Sequence, residues 1–75
     1  MYKCAIDILV NGPESTQALE DMKALAGGSI LIREDQFANS RQRIYWTNQE
    51  SLDEFLTERP CVKNLVVFWL ADQIN

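Results

Sequence analysis

Residues 2–10 read Tyr-Lys-Cys-Ala-Ile-Asp-Ile-Leu-Val, and this alternating stretch determines how the rest of the chain is arranged. Successive side chains of a β-strand point to opposite faces, so Cys4, Ile6 and Ile8 share one face and Asp7 lies on the other. The alternation predicts a strand with one face on a hydrophobic core and the other turned away from it. Asn-Gly-Pro at residues 11–13 ends the strand with turn-forming residues.

The next segment is predicted to be a helix. Residues 15–26 carry alanine, leucine and methionine at intervals of three and four, which is the spacing of one helix face. Ser15 or Thr16 is the expected N-cap, and the glycines at residues 27–28 supply the left-handed residue that ends a helix. The first third of the chain therefore predicts a strand followed by a helix.

A β-hairpin and a second helix are predicted next. Residues 29–34 and 41–47 alternate, and the polar loop of residues 35–40 is short enough to join them as an antiparallel pair. Residues 47–50 read Thr-Asn-Gln-Glu, a capping box that starts a helix, and Arg-Pro at residues 59–60 ends it. The chain thus returns to helical structure before its last strand.

The C-terminal run Leu-Val-Val-Phe-Trp-Leu-Ala at residues 65–71 is apolar without interruption. A strand with one face in water alternates apolar and polar residues, so both faces of this strand, predicted over residues 62–71, must be covered. Only one of its two side-chain sets can meet the helices, and we expect the set containing Trp69 to lie on the opposite face. A chain of 75 residues has little mass to cover that second set, which indicates a partner.

The order strand-helix-strand-strand-helix-strand decides the fold class. Right-handed crossovers place both helices on one face of the sheet, and the standard arrangement for this order is the split β-α-β, or ferredoxin-like, sandwich. We therefore predict one α+β domain over residues 1–75, with two helices on one face of a four-stranded antiparallel sheet whose first and third strands are central. Cys4 and Cys61 would lie at opposite ends of an antiparallel strand pair, so no disulfide is predicted.

The amino-acid composition argues against several classes of function. A net charge of −4 and a pI near 4.5 disfavour direct binding to nucleic acid or to an anionic membrane. The chain has no histidine and no Cys-x-x-Cys spacing, and its longest apolar run is far from the roughly 20 residues that span a bilayer. We expect a cytoplasmic protein without metal or cofactor, in which any catalysis would use carboxylates, tyrosine, lysine, arginine or a thiol.

The sheet face turned away from the helices is the first candidate site. Asp7 is costly on a central strand unless it is paired, and Arg43 or Arg41 on the adjacent strand is the expected partner. The candidate interface or ligand residues of this face are Asp7, Leu9, Leu31, Arg43, Tyr45, Leu65, Val67 and Trp69. Two copies packed sheet to sheet would bury this patch, and pairing of the last strand at the sheet edge is a second route. The alternative is a monomer whose patch is covered by residues 72–75 or by the loop containing Phe37.

An acidic helix face is the second candidate site. Glu50, Asp53 and Glu54 lie close together on the second predicted helix. Such a face is usually only solvated, but it also fits docking to a basic surface or mimicry of nucleic-acid phosphate by a small inhibitor.

These observations leave four functions open. We favour a small non-enzymatic protein-interaction or regulatory module that forms a homodimer, because no convergent polar cluster is visible. The alternatives are a small-ligand binding domain on the open face or at the dimer interface, an acidic phosphate-mimicking inhibitor, and a cofactor-free dimeric enzyme using Asp7 and Tyr45 as acid-base groups. The fold alone cannot choose among them.

Overall fold

The computed structural model describes residues 2–60, 62 and 65–74, with side chains for residues 2–60 and 62. In chain order the elements are β1 (Tyr2–Leu9), α1 (Pro13–Leu25), β2 (Ile30–Ala38), β3 (Arg41–Trp46), α2 (Gln49–Thr57) and β4 (Leu65–Ile74). The strands pair antiparallel in the order β2-β3-β1-β4, so β1 and β3 are central. The predicted order of elements matches the observed one, whereas several predicted boundaries do not.

The predicted fold class, a four-stranded ferredoxin-like sandwich, requires a correction. The part of the chain described with its side chains forms an α+β fold of two helices and a three-stranded antiparallel sheet, β1-β3-β2. In that part, only these three strands supply side chains to the core. β4 is described by its backbone, which pairs with β1 at the sheet edge. We therefore assign the class as α+β with a three-stranded packed sheet, and not as the four-stranded sandwich.

The hydrophobic core lies between the sheet and the helices. Cys4, Ile6 and Ile8 of β1 are fully buried and lie beside Ile44 and Trp46 of β3. The two helices close this core with the buried residues Ala18, Leu19, Met22, Leu52 and Phe55. The prediction that Cys4, Ile6 and Ile8 share the core face of the first strand is therefore confirmed.

The start of α1 differs from the prediction that Ser15 or Thr16 is the N-cap. Gly12 is the N-cap and Pro13 is the first helical residue, a position that suits proline because its fixed φ is already helical and it has no N–H to satisfy. Ser15 lies one turn inside, where its Oγ accepts from the backbone N–H of Gly12 at 3.2 Å. The predicted end of the helix is confirmed, since Gly27 has a φ of 97°.

The predicted capping box of residues 47–50 is also wrong by one residue. Asn48 is the N-cap of α2, and its Oδ1 accepts from the N–H of Ser51 at 2.7 Å. An asparagine side chain caps a helix as well as a threonine does, so the Thr-Asn pair left the position of the cap undecided.

The hairpin between β2 and β3 is tighter than predicted. Residues 35–40 were expected to form a loop, but β2 continues to Ala38 and only Asn39 and Ser40 form the turn. Both turn residues have positive φ, 54° and 62°, as a type I′ two-residue hairpin requires. Asn39 tolerates this conformation, which is why a turn without glycine is possible here.

The pairing of β2 with β3 contains an irregularity, and the side chain of Gln42 supplies hydrogen bonds there. The register with β3 shifts between Ile32 and Phe37, so intervening backbone groups of β2 leave the regular ladder. The side chain of Gln42 is 1% exposed, and its Nε2 donates to the carbonyls of Arg33 at 3.0 Å and Arg43 at 3.1 Å. Gln42 thus replaces hydrogen bonds that the shifted register cannot make.

Candidate functional site

Asp7 and Arg43 form the ion pair predicted for the open face, the sheet face turned away from the helices. They lie directly opposite each other on β1 and β3, and Arg43 Nε and Nη2 donate to Asp7 Oδ1 and Oδ2 at 2.8 and 3.0 Å. The Asp7 side chain is 17% exposed. The hydrogen bonds to Asp7 raise the pKa of Arg43 above its ordinary value. Because both carboxylate oxygens are occupied, the geometry favours a structural role for Asp7 over acid-base catalysis.

The centre of the open face is covered within the single chain. Tyr45 is 5% exposed and Ala5 is 1% exposed, and the ring centroids of Tyr2 and Tyr45 are 6.2 Å apart. Leu9 and Leu31 are half-buried. A cavity of about 220 Å³ lies at one end of this face, lined by Asp7, Gln36, Ala38, Arg41 and Arg43. That volume is below the roughly 300–1,000 Å³ of ordinary ligand pockets, so the open face is a poor ligand site.

The remaining predicted open-face residues, Leu65, Val67 and Trp69, belong to β4, whose side chains lie outside the described part of the structure. The backbone register pairs Trp69 with Cys4, a residue of the helix-covered face, and Leu65 and Val67 follow at intervals of two. The assignment of Leu65, Val67 and Trp69 to the open face stays a prediction, because only the backbone of β4 is described.

The helices carry most of the exposed acidic residues. In α1, α2 and the two residues that follow α2, seven acids stand against two cations. Six of these acids are exposed: Glu14, Glu20, Glu50, Asp53, Glu54 and Glu58. Lys23 pairs with Glu20 at 3.6 Å, and Arg59 pairs with Asp21 and Glu58. Both cations are thus offset by acids of the same surface, which we call the acidic helix face, and its net charge is negative.

Arg59 joins the two helices. Its Nε donates to Asp21 Oδ2 on α1 at 3.1 Å, and its Nη1 donates to the carbonyl of Phe55 at 3.1 Å. The guanidinium also lies 3.7 Å from the centroid of the Phe55 ring, a cation–π contact. Hydrogen bonds from Gln17 and Arg59 lower the pKa of Asp21 below its ordinary value, because they stabilise the charged carboxylate.

Two grooves flank Arg59 on the helix side of the molecule. The larger, of about 480 Å³, is lined by Pro13, Glu14, Gln17, Ala18, Asp21, Glu58, Arg59, Pro60 and Val62. The second, which we call the tryptophan groove, has a volume of about 380 Å³ and is lined by Leu25, Ser29, Trp46, Ser51, Glu54, Phe55, Glu58 and Arg59. Both volumes fall within the range of ordinary ligand pockets.

The tryptophan groove contains a polar atom without a partner. Trp46 is 1% exposed, and its ring packs against Phe55 with centroids 5.6 Å apart. The buried Nε1 of Trp46 has no acceptor among the described residues. A buried indole N–H normally finds an acceptor, so Trp46, which lines this groove together with Glu54 and Glu58, carries an unmet hydrogen-bond donor.

The sequence patterns indicate a helix end at Arg59 and a core position for Trp46, and neither pattern indicates a site. The spacing of four residues between Phe55 on α2 and Arg59 just beyond its end is the signal that could have revealed their stacking. For Trp46 the available signal is the need of any buried indole N–H for an acceptor. The contact between Arg59 and Asp21 spans 38 positions and leaves no mark in a single sequence.

Cys4 is a buried free thiol, as predicted, whereas Cys61 lies outside the described residues. Burial raises the pKa of the Cys4 thiol above its usual value, and the negative charge of Asp53 adds to this effect. An activated nucleophile requires the opposite shift, so Cys4 has the properties of a structural cysteine.

Three further findings bear on the class of site. In the part of the chain that the structure describes, no three His, Cys, Asp or Glu side chains are grouped so that they could hold a metal ion. Neither of the two described helices is long and apolar enough to cross a membrane. Comparison with protein-family models, curated proteins and solved structures finds no match to this chain. The site is therefore interpreted from its own geometry.

Proposed function

We propose that this protein is a non-enzymatic interaction module whose acidic helix face binds a basic segment of another protein. The observation that carries the proposal is the presence of six exposed acids on a face whose two cations, Lys23 and Arg59, already pair with acids. A surface with charge of one sign attracts a cationic partner and accelerates its association. Proteins that bind nucleic acid carry basic surfaces. An acidic face that imitates nucleic-acid phosphate would bind such a surface, so phosphate mimicry falls within the same proposal.

The open face is a weaker candidate for a binding or catalytic site than the acidic helix face. Asp7 is held by Arg43, and Tyr45 is almost fully buried, so neither side chain is available to a substrate in the single chain. The cavity of about 220 Å³ that borders this pair is small. A ligand-binding or catalytic role would require this face to rearrange, whereas the acidic helix face is already exposed.

Neutralising acids on α2 is expected to weaken binding to a basic peptide. The probe is a capped peptide of five arginines, titrated by calorimetry in about 50 mM salt, where surface charges are weakly screened. The double variant Glu50→Gln with Asp53→Asn should bind this peptide about threefold or more weakly, because each exposed ion pair contributes a few tenths to 1 kcal/mol. About 300 mM salt should weaken binding to the unaltered protein as well.

The matched control neutralises one glutamate and one aspartate of the hairpin. Glu34→Gln with Asp35→Asn should change the affinity less than twofold, because these exposed acids lie on β2, away from the helices. Equal weakening by the two double variants would show that only net charge matters, and the proposed binding face would be wrong.

Self-association through β4 is the second candidate function. The observation that favours it is the position of β4 at the sheet edge, where its outer backbone pairs with no other described strand. An apolar strand in that position is a template for pairing with a second copy. Such a dimer extends the sheet and leaves the acidic helix face exposed in both copies.

Light scattering at micromolar concentration tests this second candidate. We expect a dimer for the unaltered protein and a monomer for Val66→Lys, because a charge on an edge strand opposes strand pairing. Ala38→Lys, which adds the same charge to the opposite edge strand β2, should remain dimeric. A monomeric unaltered protein would exclude self-association.

A further inference from the structure

The tryptophan groove combines an apolar floor with a charged rim. Trp46 and Phe55, whose rings pack in a tilted arrangement with an interplanar angle of 57°, both line it, and Leu25, which is 51% exposed, adds further apolar surface to the lining. Glu54 and Glu58 are both exposed at the groove. A ligand that fits must therefore present apolar surface and tolerate negative charge.

The unmet donor of Trp46 adds a second requirement. Its Nε1–H is buried and finds no acceptor within the described part of the chain. A bound partner that carries an oxygen acceptor would satisfy this donor, and a backbone carbonyl is the commonest such group in a peptide. An ammonium or guanidinium group cannot fill this role, because it only donates.

The charge of the groove excludes several ligand classes. Arg59 is the cation of the groove, and it is already engaged by Asp21, by Glu58 and by the Phe55 carbonyl. A phosphate or a free carboxylate would therefore be opposed by Glu54 and Glu58. A cationic side chain is favoured by the same two carboxylates, and an arginine can pair with a carboxylate through two hydrogen bonds.

We propose that the tryptophan groove binds an arginine-bearing peptide segment of the partner protein. A backbone carbonyl of the segment accepts from Trp46 Nε1, and the arginine side chain crosses Leu25 to pair with Glu54 and Glu58. This inference rests on the proposed function and deepens it, because it assigns the contact to one groove of the acidic helix face and names the chemistry of the bound segment.

The test follows the indole N–H of Trp46 by NMR in ¹⁵N-labelled protein. The chain has two tryptophans, and the Trp46 peak is assigned as the indole peak missing from Trp46→Phe. Titration with the capped penta-arginine peptide should move this peak downfield, because the N–H gains an acceptor. The capped penta-citrulline peptide, which has the same shape and backbone but no charge, should move it at least about tenfold less at equal concentration.

Matched variants separate the groove from the rest of the acidic helix face. Glu54→Gln with Glu58→Gln should weaken penta-arginine binding about fivefold or more and abolish the movement of the Trp46 peak. Glu50→Gln with Asp53→Asn removes the same charge from the same helix, but these residues do not line the groove. The Glu50→Gln, Asp53→Asn variant should weaken binding less than the Glu54→Gln, Glu58→Gln variant does. It should also leave the movement of the Trp46 peak at saturation unchanged.

The two proposals fail in different ways. If the peptide binds to the unaltered protein while the Trp46 peak stays in place, the groove is not the binding site, although the acidic helix face can still be. If the two α2 double variants weaken binding equally, the groove assignment is also overturned. If both α2 variants and the Glu34→Gln, Asp35→Asn hairpin variant behave alike, the proposed function fails together with this inference.

Discussion

Replacing Trp46 by alanine is expected to lower the free energy of unfolding by about 3–5 kcal/mol. Trp46 is the largest fully buried side chain among the described residues, and it packs against Phe55 with ring centroids 5.6 Å apart. The usual 0.05–0.15 kcal/mol per residue predicts a total stability of about 4–11 kcal/mol for a chain of 75 residues. If the total lies at the low end of this range, the variant should be largely unfolded; if it lies at the high end, the variant should stay folded with a lower urea midpoint. Urea denaturation followed by far-ultraviolet circular dichroism measures this loss.

Trp46→Phe is the control that separates the ring from its N–H group. Phenylalanine keeps an aromatic ring against Phe55 and removes a buried donor that has no acceptor among the described residues. The smaller ring leaves some unfilled volume, but the removal of an unsatisfied polar atom offsets part of that cost. We expect a loss of less than half that of Trp46→Ala. Equal losses for both variants would mean that the indole N–H has a partner in the folded chain, which would contradict the account of the tryptophan groove.

Replacing Asp7 by alanine is expected to cost about 1–3 kcal/mol of stability. The change leaves the Arg43 guanidinium without the two carboxylate oxygens that it binds at 2.8 and 3.0 Å, beside the almost fully buried Tyr45. The pair is worth more than an ordinary surface ion pair because it is bidentate and Asp7 is only 17% exposed. Urea denaturation at neutral pH measures the effect.

The control for this prediction replaces both partners. Asp7→Leu with Arg43→Leu removes the pair without stranding a charge, and it should be close to neutral or less harmful than Asp7→Ala alone. With the single variants Asp7→Leu and Arg43→Leu, the double variant gives the coupling energy of the pair. A coupling energy near zero would show that the ion pair contributes nothing to folding, and Asp7 would then be free for another role.

The order of the strands and helices could be predicted from the sequence because side-chain alternation in residues 2–10 and helical spacing in residues 15–26 are local patterns. The pairing of Asp7 with Arg43 followed from the same reasoning, since a buried acid on a central strand needs a cation on the neighbouring strand. Helix caps were misplaced where adjacent residues cap equally well, as Thr47 and Asn48 do. The face of Trp69 could not be fixed from the sequence, because strand register depends on backbone pairing with β1, which an uninterrupted apolar run does not specify.

The acidic residues of α2 could be recognised from their spacing, and their exposure is confirmed. The tryptophan groove could not be predicted, because it forms where the end of α1, the end of β3 and α2 meet. Burial of the Trp46 ring is readable from the alternation of β3. The lack of an acceptor for its N–H is a property of the packed structure and has no counterpart in the order of residues.

The central claim is that the binding surface is the acidic helix face and not the open face of the sheet. Backbone amide peaks of ¹⁵N-labelled protein, followed during titration with the capped penta-arginine peptide, test this most directly. We predict that the largest peak movements fall in α2 and at Leu25 and Trp46, while Ala5 and Tyr45 on the open face keep their positions. Movements concentrated at Ala5 and Tyr45, with α2 unchanged, would contradict the account.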